Sequence, residues 1–277
     1  MVSRRLDLLR LDYAFAVIVP CLLAIFLNEF ILLAHLDIIL GFGFFVMTGC
    51  VMNDAIDRRD PREVETIKRT KDFVWKELAA LAIVSFAFGF GFMIRTVLDH
   101  PLNGLLLLVA GLMIVVYNLK KSIPILNQLL LAISHLILPY LVIKVDGAQN
   151  AQIQGFLGFP LLSSGEWFFM ITMLFFAISA ESVHEIIDGD AMNRYSPRTQ
   201  QWTVLLSTGL TMIFGILAII FTQNEVFLVF LVIPLGIIYL FRKPVRPHRG
   251  VKDIGIIMGN MVMVALVVLI LRKNYLP

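Results

Sequence analysis

The chain has 277 residues, 59% of them apolar and 16% charged, with a mean hydropathy of +0.86. That composition excludes an ordinary soluble domain and points to a polytopic membrane protein whose surroundings are the lipid bilayer. The net charge of +3 is small, and its distribution reads as membrane topology, calling for no nucleic acid partner.

A bilayer crossing takes roughly 17–25 apolar residues, and about nine stretches qualify. They are 13–35, 37–53, 74–95, 102–119, 124–145, 165–183, 202–222, 225–241 and 254–271, separated by charge clusters and by Gly or Pro. They predict an all-α polytopic membrane bundle of about nine transmembrane helices around a central cavity, in a single domain over residues 1–277. The first stretch is too long for a cleavable leader and lacks a small-residue cleavage site. Cys21 and Cys50 fall in apolar segments and read as packing residues.

With the N-terminus in the cytoplasm, that side receives Arg4, Arg5, Arg10, Arg58, Arg59, Arg62, Lys68, Arg69, Lys71, Lys76, Lys120, Lys121, Arg194, Arg198, Arg242, Lys243, Arg246, Arg249 and Lys252. Only Arg95, Lys144, Arg272 and Lys273 fall on the other side. This is the positive-inside bias, and it favours an odd number of crossings in a plasma membrane with the polar loops cytoplasmic. Glu29, His35, His100 and Glu166 map to the opposite side and mark helix ends.

The second stretch runs directly into "NDAIDRRD", residues 53–60. Asn53, Asp57 and Asp60 stand at i, i+4 and i+7, so a continuing helix places them on one face, with Asp54 beside them. The sixth stretch runs into "ESVHEIIDGD", residues 181–190, where Glu181, Glu185 and Asp188 repeat those intervals. The constant offset of 128 residues suggests a duplication, with two four-helix halves, a ninth helix added, and the two acidic faces turned to each other across the cavity.

Carboxylates stacked on one helical face repel unless a cation or proton intervenes. Oxygen-rich sites with no cysteine nearby suit Mg²⁺ better than zinc, and Mg²⁺ commonly bridges carboxylates to phosphate oxygens. Two such clusters therefore describe a diphosphate clamp. His184 lies inside the second cluster, either as a phosphate or proton-transfer contact or as a helix-end residue without that role. Asn127 and His135 fall in the fifth stretch, where polar groups tend to line a cavity.

"NDAIDRRD" resembles the first aspartate-rich motif of the UbiA superfamily of intramembrane prenyltransferases, NDxxDxxxD, with the last aspartate one residue early. "ESVHEIIDGD" resembles a variant of the second motif, DxxxD. "VYNLKKSIPILNQ" at 116–128 is similar to the family's loop after the fourth helix, with Tyr117, Lys121 and Asn127 in the matching roles, and "IKRT" at 67–70 stands where the family has a basic stretch. In place of the family's N-terminal Arg-Pro the chain has "RLDYAF".

The resemblance implies Mg²⁺ as cofactor, with Asn53, Asp54, Asp57, Asp60, Glu181, Glu185 and Asp188 as metal ligands. It implies a prenyl diphosphate substrate touched by Asn53, Lys68, Arg69, Lys121, Asn127 and Arg198. Asp54, Asp57, Lys121, Tyr117, Glu185 and Asp188 would be the catalytic group. Neutralising the leaving diphosphate lowers the barrier to an allylic carbocation, which a lipophilic or aromatic acceptor then attacks.

Three rivals remain. A CDP-alcohol phosphotransferase would need an Ala-Arg pair and further aspartates that are absent here. A membrane terpene cyclase would ionise the same diphosphate without an acceptor. A cation transporter would place its site near the bilayer midplane, whereas these clusters stand at helix ends.

Overall fold

A computed structural model describes residues 7–59, 61, 64–120, 123, 125–148, 159–189, 191–244, 247–248 and 250–275. Among them the regular elements are helical: α1 Phe15–Leu27, α2 Leu36–Asp57, α3 Val64–Thr70, α4 Trp75–Asp99, α5 Pro101–Lys120, α6 Leu126–Ala132, α7 Leu138–Gly147, α8 Ser164–Asp188, α9 Pro197–Thr222, α10 Val229–Leu240 and α11 Gly250–Tyr275. Among the described residues, seven helical runs are long and apolar enough to cross a membrane: Leu32–Asp57, Trp75–Asp99, Pro101–Asn118, Leu126–Gly147, Ser164–Asp188, Pro197–Thr222 and Gly250–Tyr275. Two shorter apolar helices, Leu11–Leu27 and Val226–Leu240, complete the expected series.

The first predicted crossing, 13–35, is too long. α1 stops at Leu27 because Asn28 and Glu29 interrupt the apolar run, and Glu29 turns the chain with a left-handed φ of 56°. Its carboxylate meets Lys273 at 2.8 Å.

The fifth crossing is regular except at Ile133–Ile137, where a π turn joins α6 to α7 and the Leu138 N–H reaches back to the Ile133 carbonyl. Pro139 accounts for it. A proline nitrogen has no hydrogen to donate and its ring crowds the carbonyl four residues earlier, so the preceding turn widens.

Two compact units divide the chain. The first comprises the described residues within Met1–Leu106, Pro139–Asn150 and Ile256–Pro277. Here α2 and α4 touch backbone to backbone: a Cβ added to Gly41 would lie 3.2 Å from the Gly89 carbonyl oxygen, and one added to Gly89 would lie 3.1 Å from that of Gly41. Small residues at such a crossing are what close helix packing in lipid requires. Towards the end of α2, Val51 and Ala55 are buried with Leu8, Leu78 and Ala82, which fixes the last turns of the helix.

At the other end of this unit a buried polar network joins His35, just before α2, to α4, α5 and α7. His35, which the sequence reading took only as a helix-end marker, shares a hydrogen atom with Asp146 at 2.8 Å through Nδ1, and Asp146 accepts from the Thr96 hydroxyl at 2.6 Å. Asn103 donates to that hydroxyl oxygen at 2.7 Å and to the Val142 carbonyl at 3.2 Å. Most of these polar groups withdrawn from water and lipid are thus given partners, while Asn103 Oδ1 is buried without a hydrogen-bond partner among the described residues.

The second unit comprises the described residues within Leu107–Leu138 and Ala151–Gly255. Its main pair is α8 and α9, bridged by a buried hydrogen bond of 2.6 Å between the Ser179 and Thr208 hydroxyls. Ser163 and Glu166 form a capping box that starts α8. Gly189, with a φ of 87°, stops it one residue after Asp188. Ser196 caps α9 and Pro197 takes its first position.

Candidate active site

The first acidic cluster occupies the last turn of α2. Asn53 donates to Asp57 through Nδ2 at 2.7 Å, and both side chains are partly exposed. The other Asn53 amide atom, Oδ1, is buried without a hydrogen-bond partner among the described residues. As placed, the amide nitrogen faces the carboxylate; turning the amide over would bring Oδ1 and the Asp57 carboxylate together as oxygen donors of the kind a hard cation takes.

Asp54 points elsewhere. It is fully buried, and Arg69 on α3 grips it in a two-pronged pair, Nε to Oδ2 and Nη2 to Oδ1, each at 2.7 Å. The short helix that carries Arg69 was legible in the sequence only as a basic stretch. Thr70 steadies it by donating to the Thr66 carbonyl at 2.8 Å, and Lys68 lies exposed on the same helix.

α2 ends at Asp57, with Arg58 and Arg59 in a turn before Pro61. The expected continuation of the helix past Asp57 is therefore corrected, since Arg58 and Arg59 form a turn. Asp60 itself lies outside the described residues, as do Arg62, Lys121 and Asp190. Arg58 holds the exit of the turn by donating to the Phe73 carbonyl at 2.8 Å, and Arg59 lies over the Trp75 ring at 5.3 Å.

The second cluster occupies the last two turns of α8, and its three carboxylates have different surroundings. Glu185 is 4% exposed and its Oε2 accepts from Gln128 Nε2 at 3.0 Å and from the Met192 backbone N–H at 3.2 Å. Asp188 is at the helix end, where its Oδ2 meets Lys252 Nζ at 2.7 Å and His184 Nε2 at 2.8 Å. Glu181 lies 4.0 Å from the other ring nitrogen of that histidine. His184 thus pairs with Asp188 and stands near Glu181.

Of the remaining expected residues, Asn127 is buried on α6, one position before Gln128, Tyr117 is partly exposed on α5, and Arg198 is exposed in the first turn of α9. Sequence reasoning missed Gln128 and Lys252. Gln128 closes the quoted "VYNLKKSIPILNQ" segment and had a visible signal in its position beside Asn127. Lys252 had none, standing 64 residues from Asp188. Among the described residues no three His, Cys, Asp or Glu side chains converge as a ready-made metal cage. The donors are carboxylates and amide oxygens, the chemistry of a cation that also keeps waters and substrate oxygens.

No family model matches the chain, and no curated protein matches it. A solved structure described as that of a UbiA homolog from Archaeoglobus fulgidus bound to GPP and Mg2+ is similar along the full length, with a TM-score of 0.71, 13% identity, and coverage of 98% of this chain and 99% of that one. The chain has the fold of that UbiA homolog, a polytopic helical bundle.

Proposed function

We propose that this UbiA-fold protein is an Mg²⁺-dependent intramembrane prenyltransferase, which moves an isoprenoid chain from a prenyl diphosphate to a lipophilic or aromatic acceptor and releases diphosphate. The observation that carries the reading is the oxygen-donor pair of Asn53 and Asp57 at the end of a membrane helix, in a fold whose solved relative binds GPP and Mg2+. Residues 1–277 form one such domain, its two acidic motifs descending from a duplication, and its polar loops face the cytoplasm.

The unpartnered Asn53 Oδ1 and the adjoining Asp57 carboxylate fit Mg²⁺ by donor type. Glu181, Glu185 and Asp188 are the proposed carboxylates of the second motif, and Asp60 belongs with the first. When bound, the metal supplies charge compensation for the departing diphosphate.

The chain's own residues do the remaining work. Arg69 and Lys68 on α3, with Lys121 and Arg198, bind diphosphate oxygens and stabilise the negative charge that develops as the allylic C–O bond breaks. Gln128 and the Met192 N–H fix the rotamer of Glu185, so the carboxylate is oriented before substrate arrives. Asn127 and Tyr117 are proposed to contact substrate from the start of α6 and the end of α5. The cation left on the isoprenoid is attacked by the acceptor, and water must be kept away from it until then.

The test is release of diphosphate from geranyl diphosphate by purified protein in detergent. Release is expected with Mg²⁺, is expected to stop in excess EDTA, and is expected to resume on adding Mg²⁺ back. Full turnover in EDTA would contradict the proposal. Mass spectrometry of the products separates transfer, which needs an added acceptor, from cyclisation, which yields a hydrocarbon without one.

A further inference from the structure

We infer that Asp54 is the positioning residue for Arg69 and not a metal ligand, so that the first motif divides its labour between a metal-facing pair, Asn53 and Asp57, and an arginine-holding carboxylate, Asp54. The inference rests on the prenyl diphosphate reading and refines it.

Helix geometry separates the two roles. At 3.6 residues per turn, Asn53 and Asp57 stand about 40° apart around α2, whereas Asp54 is rotated about 100° from Asn53. Burial follows the same division: Asp54 is 0% exposed, while Asn53 and Asp57 are partly open. Both Asp54 oxygens are already taken by charge-assisted hydrogen bonds of 2.7 Å. For Asp54 to ligate a metal, that pair would have to break and leave a guanidinium with 21% exposure without its counter-charge.

The pairing also explains why the residue is arginine. Asp54 engages one edge of the planar fork, Nε and Nη2. The two N–H groups of Nη1 bond to no described residue, and a fork fixed along one edge presents them in a set direction. A diphosphate oxygen is the ligand chemistry that this edge suits. A lysine has a single point charge and cannot be held along an edge while donating from the other side.

Full-length protein in detergent provides the test, with Mn²⁺ alone followed by electron paramagnetic resonance and magnesium diphosphate followed by calorimetry. Asp54→Asn and Arg69→Gln are expected to weaken magnesium diphosphate binding by the same factor, on the order of tenfold or more, and the double variant no further. Both are expected to keep Mn²⁺ affinity within about twofold of wild type and to speed amide exchange in residues 64–70, whereas Asp57→Asn loses Mn²⁺ affinity. A purely structural role would lower both affinities together.

Loss of Mn²⁺ affinity in Asp54→Asn equal to that in Asp57→Asn, with Arg69→Gln unaffected, would make Asp54 a direct ligand and overturn the inference. If Asp54→Asn does not fold, Arg69→Lys decides: it is expected to lose diphosphate affinity as Arg69→Gln does, and wild-type affinity would overturn the inference. Wild-type protein that binds neither probe would overturn the prenyl diphosphate reading and this inference together, a result distinct from the other two.

Discussion

The two acidic clusters hold their buried carboxylates differently. In the first, the buried carboxylate, Asp54, is gripped by a cation, and the more open Asp57 takes a hydrogen bond from the neutral Asn53. In the second, the buried carboxylate, Glu185, accepts from Gln128 and the Met192 N–H among its contacts, and the more open Asp188 meets Lys252 and His184. The difference decides what each substitution measures. Glutamine at 185 still offers an oxygen to Gln128 and to the Met192 N–H, so those two hydrogen bonds survive the loss of charge. Asparagine at 54 takes the counter-charge from a half-buried arginine, so it perturbs α3 as well.

The largest effect expected from this contrast is on turnover. Glu185→Gln should lower kcat by about 10²–10³, the loss seen when one preorganised electrostatic group is removed, while shifting stability by less than about 1 kcal/mol because its neutral hydrogen bonds survive. Steady-state rates and denaturation midpoints in one detergent check both halves. A large loss of stability would mean that the charge itself holds α8 in place, and the contrast would fail.

An intermediate effect is expected on stability in the first cluster. Arg69→Ala should destabilise the protein by about 2–3 kcal/mol, below the 3–5 kcal/mol typical of wholly buried pairs because Arg69 is partly exposed. Thermal unfolding of the purified variant measures it. The smallest effect belongs to the pair at the end of α8: with both side chains partly exposed, Lys252→Met should change stability by no more than about 1 kcal/mol, and added salt should shrink the difference.

Much of the fold was legible because apolar length is a one-dimensional signal. The nine apolar stretches all reappear as helices, and both motifs stand at the helix ends where charge interrupts the run. The first boundary failed at Asn28 and Glu29, where two polar residues inside an apolar run were too few to register as a break. α3 was missed because "VETIKRT" is short and polar, and its helix is fixed by packing beside the end of α2. The candidate residues were legible as types, their partners were not. Arg69 lies 15 residues from Asp54, Gln128 lies 57 from Glu185 and Lys252 lies 64 from Asp188, distances over which no periodicity operates.

Spacing put Asn53 and Asp57 on one face with Asp54 beside them, and the resemblance joined all three as ligands; the division of roles inferred above separates Asp54 from that set. Adjacent residues on a helix diverge by about 100°, so neighbours in a motif need not share a ligand. The buried Asp54–Arg69 pair, which spacing could not foresee, is the observation that motivates the proposed division.

The most direct measurement is the anomalous scattering of Mn²⁺ in crystals of the full-length protein grown with a prenyl diphosphate. The account predicts manganese bound through Asn53 Oδ1 and the Asp57 carboxylate, with diphosphate oxygens completing its shell and Arg69 still paired with Asp54. Manganese on Asp54 with Arg69 displaced would contradict the division of roles, and a bound diphosphate with no manganese at either acidic cluster would contradict the proposed function.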